Sequence, residues 1–183
     1  MAITLTKEDG TGLANANSYE DDAGAKAYME LTGRKDEWAA FGTQDRLAAL
    51  IVATQFMDQT YRCRWLGELA EATQDTQALD WPRDGLKLPS GAVIASTAIP
   101  AAIAQACAEY ALIAAGNGIN PNPTYDASGK SISKLKVRVE GAVSKETEFA
   151  SASSGPVLFR RYPRAEGVLR EYITAASRTL LRA

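Results

Sequence analysis

The pattern of hydrophobic and polar residues changes period once along the chain. Before about residue 118, apolar positions recur at helical spacing. Ser18, Tyr19, Glu20 and Asp21 predict a helix start, with Ser18 capping the free amides and Asp21 reaching back as a short capping-box partner. Glu20, Asp21 and Asp22 also suit the positive end of the helix dipole. This helix is expected to run to Leu31, with Gly33 ending it after Thr32. Residues 35–41 predict a helical turn that buries Trp38 and Phe41. Thr43 then caps a long helix over 44–61, in which Leu47, Leu50, Ile51, Thr54, Met57 and Tyr61 share a face that Val52 and Phe56 widen. Pro100 fits the first turn of the next helix, where its missing amide has no partner to lose. Ile103, Ala106, Cys107, Tyr110, Ile113 and Ala114 form that helix's buried face, its many alanines permit close packing, and Gly116, Asn117 and Gly118 end it near 115.

From 134 to 140 the pattern becomes strictly alternating, with Leu135, Val137 and Val139 on one side and charges on the other. Gly141 offers a turn and 143–149 alternates again, which predicts a β-hairpin. A last amphipathic helix follows Phe159, Arg160, Arg161, Tyr162, Pro163 and Arg164, with Val168, Leu169, Tyr172, Ile173, Ala176 and Leu180 on its apolar stripe. Residues 1–17 read as an extended arm with a turn at Asp9, Gly10, Thr11 and Gly12. Residues 62–98 read as a long loop punctuated by Gly67, Pro82, Gly85, Pro89 and Gly91, with a turn of helix at 74–79. A loop this long inside a compact domain is usually functional or interface-forming. The expected fold is mainly α (α+β): a helical core of about four helices, one hairpin and a basic C-terminal helix. The expected divisions are an arm at 1–17, a core at 18–129 and a hairpin-plus-helix segment at 130–183.

Composition narrows the function classes. With 183 residues, 46% hydrophobic and 23% charged, the chain suits one buried core. It has no apolar run near the roughly 20 residues that cross a bilayer, so no membrane partner is expected. Its start lacks the basic and apolar regions of a secretory signal, so synthesis and action are expected to begin in a cytoplasm. Cys63 and Cys107 are expected to be free thiols in the core. The absence of histidine removes the commonest general base and metal ligand. No metal, no cofactor and no catalytic residue are expected. Glu20, Asp21 and Asp22 point in different directions on a helix, Gly10 and Gly12 do not make a phosphate loop, and neither Ser90 nor Ser153 has a base beside it.

Charge is unevenly placed. Residues 1–129 carry 9 Lys and Arg against 17 Asp and Glu, whereas 130–183 carry 11 against 5. The net −8 and +6 predict a molecule with one end suited to polyanions or to an acidic protein surface. Lys134, Lys136 and Arg138 lie on one face of a strand, at a spacing that can follow a phosphate backbone. Arg160, Arg161 and Arg164, interleaved with Phe159 and Tyr162, form the arginine–aromatic mixture used on single strands. A solvated face or a protein interface suits both groups equally well. In residues 78–85, Pro82 fixes its own φ and Asp84-Gly85 makes a tight turn, so Arg83 sits on a stiff loop beside Trp81. Local pairing of Arg83 with Asp80 or Asp84 would pin that loop.

Several segments together carry a resemblance. They are residues 8–13 (EDGTGL), Ala16, Asn17, Ser18 and Tyr19 leading to Ala25 and Tyr28, residues 48–54 with Tyr61 and Gly67, residues 77–83 (QALDWPR), and Ile99-Pro100 with Ala106, Ala111 and Leu112. With these the chain resembles a family of tailed-phage head–tail connector, or adaptor, proteins that are often labelled DnaT-like single-stranded DNA-binding proteins. The resemblance covers about residues 8–115 well and the remainder loosely, and the 117–133 connection is longer here. It implies a structural virion protein and no enzyme: a subunit assembled in host cytoplasm into a ring beneath the portal protein, of about twelve copies. Such a ring extends the channel for genomic double-stranded DNA and docks a downstream neck or tail protein. In that setting Trp81, Pro82 and Arg83 are a structural clamp of the long loop. Lys134, Lys136 and Arg138 face the channel or DNA, and Arg160, Arg161, Tyr162, Arg164, Arg170 and Arg178 reach the portal or a neighbouring subunit. The family label implies an alternative, a single-stranded DNA-binding module of phage DNA metabolism.

Overall fold

The computed structural model describes residues 2–119 and 161–174, together with the strand backbones at 132–140 and 142–149. The architecture is mainly helical with a two-stranded hairpin, in the order α1 (Asp22–Leu31), α2 (Lys35–Ala39), α3 (Thr43–Tyr61), β1 (Glu68–Leu69), β2 (Arg83–Asp84), α4 (Ala101–Asn117), β3 (Ile132–Glu140), β4 (Ala142–Phe149) and α5 (Pro163–Leu169). The chain divides into two compact units, Met1–Ile119 with Arg161–Ala183, and Asn120–Arg160. The terminal helix α5 therefore belongs to the helical unit.

In the helical unit, α3 and α4 are the central pair, and α1 and α5 pack on α4. Ala49, Leu50, Ala53, Thr54 and Met57 of α3 meet Ile103, Ala106, Cys107, Tyr110 and Ala111 of α4, all buried. The small side chains at 49, 53, 106 and 111 let the two backbones approach, and close packing supplies dispersion contacts at every turn. An aromatic group closes one end. Tyr61 and Tyr110 share a hydroxyl hydrogen bond of 2.7 Å, and Phe56, Tyr110 and Tyr162 meet with ring centroids 5.0–5.8 Å apart. Val52 is exposed, so it does not widen the apolar face as its spacing suggests, and Phe41 is only half-buried.

Caps and ends depart from expectation by a few residues. The N-cap of α1 is Asp21, whose carboxylate accepts from Gly24 N at 2.7 Å, and Ser18 instead bonds Glu20 O at 2.6 Å. The cause is packing: Tyr19 and Glu20 are drawn inward and leave the helix to begin at Asp22. Asp22 then accepts from Trp38 Nε1 at 3.0 Å and from Arg46 Nε at 2.8 Å, joining α1 to α2 and α3. Gly42, not Thr43, caps α3, and α4 continues to Asn117. Cys63 is exposed rather than in the core, because it follows the end of α3, whereas Cys107 is fully buried. Burial pushes the Cys107 thiol up to about 11, which makes it inert.

The arm carries a feature that its glycines hint at. Glu8, 1% exposed, accepts from Gly10 N, Gly12 N and Leu13 N, each at 2.9 Å. A carboxylate satisfied by three amides locks the turn. Gly10 is required there, since φ is +99° and a Cβ would lie 2.1 Å from Thr97 O.

In the second unit the hairpin pairs Lys134 with Glu148, Lys136 with Glu146, Arg138 with Ser144 and Val139 with Val143. Two of the three basic positions of β3 thus stand opposite acidic positions of β4, the arrangement of charge that stabilises antiparallel pairs.

Candidate nucleic-acid interface

Three arginines from distant parts of the chain meet at one groove of the helical unit. Arg64 follows the C-terminal end of α3, and Arg161 and Arg170 flank α5. Backbone pairing brings them together: Leu66 N donates to Tyr172 O at 3.0 Å and Thr174 N to Arg64 O at 2.7 Å, around an antiparallel bridge between Trp65 and Ile173. The groove has a volume of about 720 Å³, and Tyr61, Glu166 and Ile173 also line it. Among the described residues, three guanidinium groups against one carboxylate leave its charged lining at +2. Arg64 lies over the Tyr61 ring at 5.4 Å from the centroid and donates from Nη2 to Thr174 O at 3.3 Å. The ring face and the carbonyl hold its guanidinium plane in place. Arg170 is exposed and makes no ion pair among the described residues.

Arg161 reaches Glu166 Oε2 from Nε at 3.1 Å and from Nη2 at 2.7 Å, while Glu166 Oε1 accepts from Tyr162 N at 2.9 Å. Burial pushes the Glu166 carboxyl up, but its bonds with Arg161 and Tyr162 outweigh this and hold it below its ordinary value. It is therefore ionised at neutral pH.

The basic residues singled out in the sequence are distributed unevenly over this geometry. Arg161 and Arg170 line the groove, and Arg164 is exposed on α5. Tyr162 is 8% exposed, and its ring packs edge-on against Phe56 and Tyr110. Lys134, Lys136 and Arg138 occupy the hairpin register positions given above, and Arg160 and Arg178 lie outside the described residues. Arg64 and Tyr61 are functional candidates that the reading of the sequence missed. Their signal was the run YRCRW at 61–65, the same interleaving of arginine and aromatic residues as FRRYPR at 159–164.

Of the loop 62–98, Arg64 lines the groove, and Trp65 and Trp81 pack with Tyr61 and Tyr172. Trp81, with no exposed surface, stands edge-on to Trp65 at 5.6 Å and to Tyr172 at 6.1 Å, and the Trp81–Pro82 peptide is cis. Arg83 donates to three carbonyls, Leu66 O at 3.0 Å, Gly67 O at 2.8 Å and Asp80 O at 3.1 Å. It bonds backbone, not the carboxylates of Asp80 or Asp84, because its buried guanidinium lies among loop carbonyls at 66, 67 and 80 that need donors. The Asp80 carboxylate pairs instead with Arg62 at 3.2 Å.

Beneath the loop, Asp58 Oδ1 accepts from Tyr19 Oη at 2.5 Å and Oδ2 from Asp80 N at 3.3 Å. Burial, reinforced by the nearby Asp80 charge, raises its carboxyl to about 7 against the pull of the Tyr19 bond. Unfolded, an aspartate titrates at about 3.9. Between those values the folded state keeps a proton that the unfolded chain has released. The stability from Asp58 is thus complete below about pH 4 and is lost as pH rises through about 7. Asp58→Asn is therefore expected to gain on the wild type as pH rises across this window, by at most about 1.4 kcal/mol per pH unit. Urea melts at a series of pH values check this, and parallel pH profiles for the two proteins would contradict it.

Among the described residues there is no group of three side chains able to hold a metal ion, and no helix is long and apolar enough to cross a membrane. Compared with known families, residues 3–183 match the sequence model of a family described as "Putative DnaT-like ssDNA binding protein". No curated protein and no solved structure matches the chain.

Proposed function

The chain belongs to the family of DnaT-like ssDNA-binding proteins, and from that premise we propose that it binds single-stranded DNA through the groove of Arg64, Arg161 and Arg170. The observation that carries the reading is the convergence of three guanidinium groups on one concave surface, from segments about a hundred residues apart. Guanidinium forks take phosphate oxygens in two parallel bonds, and each phosphate bound releases condensed counterions. Tyr61 is only 3% exposed, so it serves as a seat for Arg64 rather than as an open platform for a base. Stacking falls to the outer face of the Arg64 guanidinium, which accepts any base. Contacts of this kind read the backbone and carry little sequence information. The proposed activity is binding, with no chemical step.

Two or three phosphate contacts predict a shallow salt dependence, with log K falling against log salt at a slope of about −1.4 to −2. Arg64→Ala with Arg170→Ala is expected to weaken binding of a labelled oligothymidylate by about tenfold at low salt and to flatten that slope by about 1.4. Fluorescence anisotropy across a salt series measures both. Equal affinity and slope in the double variant would remove the groove from DNA binding.

A second reading is that of a head–tail connector in the virion neck, a ring of about twelve subunits joining the portal protein to the next neck or tail protein around genomic double-stranded DNA. It is supported by residues 120–160 being a compact unit of their own, which gives a subunit a hairpin to offer its neighbour. The charge difference between the two parts of the chain also suits head-to-tail contacts. A wild-type chain without affinity for oligothymidylate that co-purifies with portal would favour this reading.

A further inference from the structure

We infer that Glu166 is a resident anion of the groove, which occupies Arg161 in the free protein and yields it to a nucleic-acid phosphate on binding. The inference rests on the single-strand reading above and adds its regulation. Among the described residues Glu166 is the one carboxylate lining the groove, and its Oε2 takes both Arg161 bonds. The two partners are held very differently. Glu166 is fixed by its second oxygen on Tyr162 N and its side chain is 20% exposed, whereas that of Arg161 is 83% exposed. Arg161 can therefore swing from carboxylate to phosphate through solvent without repacking the core.

The exchange has a consequence for affinity. When Arg161 turns to a phosphate, Glu166 remains in the groove and repels the incoming backbone, while one guanidinium contact is gained and one lost. The groove therefore holds DNA less tightly than three free arginines would, and releases it readily. Glu166 acts here as a specificity-determining residue, since a ligand must carry enough charge to displace a carboxylate already in place.

The test is Glu166→Gln in the full chain. The amide oxygen can still accept from Tyr162 N, so α5 keeps its bond, and a thermal melt confirms the fold. Affinity for oligothymidylate at low salt is expected to rise roughly three- to fivefold with the salt slope little changed, because Arg161 contacts a phosphate in both complexes and only the cost of displacing the carboxylate is removed. In an Arg161→Ala background the same substitution is expected to lose most of that gain, because the partner it frees is gone. A gain of equal size in both backgrounds would overturn the inference, leaving only general repulsion. Unchanged or weaker binding by Glu166→Gln, with the wild type binding normally, would overturn it and leave the single-strand reading standing. Binding by Glu166→Gln alone supports it, and binding by neither protein sinks both readings together.

Discussion

Trp81→Ala will destabilise the helical unit by about 3–5 kcal/mol, the range for truncating a large buried aromatic residue. The indole has no exposed surface and contacts the rings of Trp65 and Tyr172 edge-on, so alanine leaves a void beside both rings. Loss of the edge-to-face pairs adds to the loss of burial. Trp65 also packs against Tyr61 at a centroid distance of 5.3 Å, which links the Trp81 site to a residue lining the groove. Trp81→Phe, which keeps a ring in the site, should cost distinctly less. Chemical denaturation with intrinsic fluorescence measures both. A Trp81→Ala midpoint equal to wild type would show that the loop is held by Arg83 and its three carbonyls alone.

Glu109→Ala is expected to cost a similar amount, about 3–5 kcal/mol, for an electrostatic reason. Glu109 lies on α4 and receives Arg34 through both terminal guanidinium nitrogens, Nη1 at 2.8 Å and Nη2 in a shorter contact, and Tyr28 Oη at 2.9 Å. The side chains of Arg34 and Glu109 are 11% and 4% exposed, so removing the carboxylate leaves a nearly dry cation and an unpaired hydroxyl. The pair itself need not be strongly stabilising, since both charges gave up water to form it. Arg34→Met with Glu109→Leu should therefore recover most of the loss. Urea melts of the single and double variants decide the matter, and a double variant as unstable as Glu109→Ala would show that the pair contributes far more than its desolvation takes away.

Much of the architecture was legible in the residues because its causes are local. The period-3.6 spacing in α3 and α4, Pro100 at the head of α4, and the alternation from Leu135 to Val139 each depend on neighbours a few positions apart. The same locality explains the small errors. Ser18 and Asp21 both qualify as caps by type, and the choice fell to Asp21 because Tyr19 and Glu20 are pulled into the core. Val52 fits the apolar stripe of α3 by spacing, yet it is exposed.

By itself, the sequence determined the first four helices and the hairpin, the charge difference between the two parts of the chain, and the lack of histidine chemistry. Its pattern carries the last helix through Tyr172 and Ile173, but α5 ends at Leu169 and Ile173 bridges Trp65 instead. It also marked Trp81, Pro82 and Arg83 as a stiff unit, since proline and glycine act on the backbone wherever they stand. Only the tertiary structure decided that Arg64 joins Arg161 and Arg170, that Glu166 sits among them, that Tyr162 is buried while Cys63 is exposed, and that Arg83 bonds carbonyls instead of carboxylates. These facts depend on which surfaces meet when the residues after α5, Tyr172 to Thr174, pair with Arg64, Trp65 and Leu66. Periodicity along a chain says which face is buried but not against what, because the contacts that settle it join residues about a hundred positions apart.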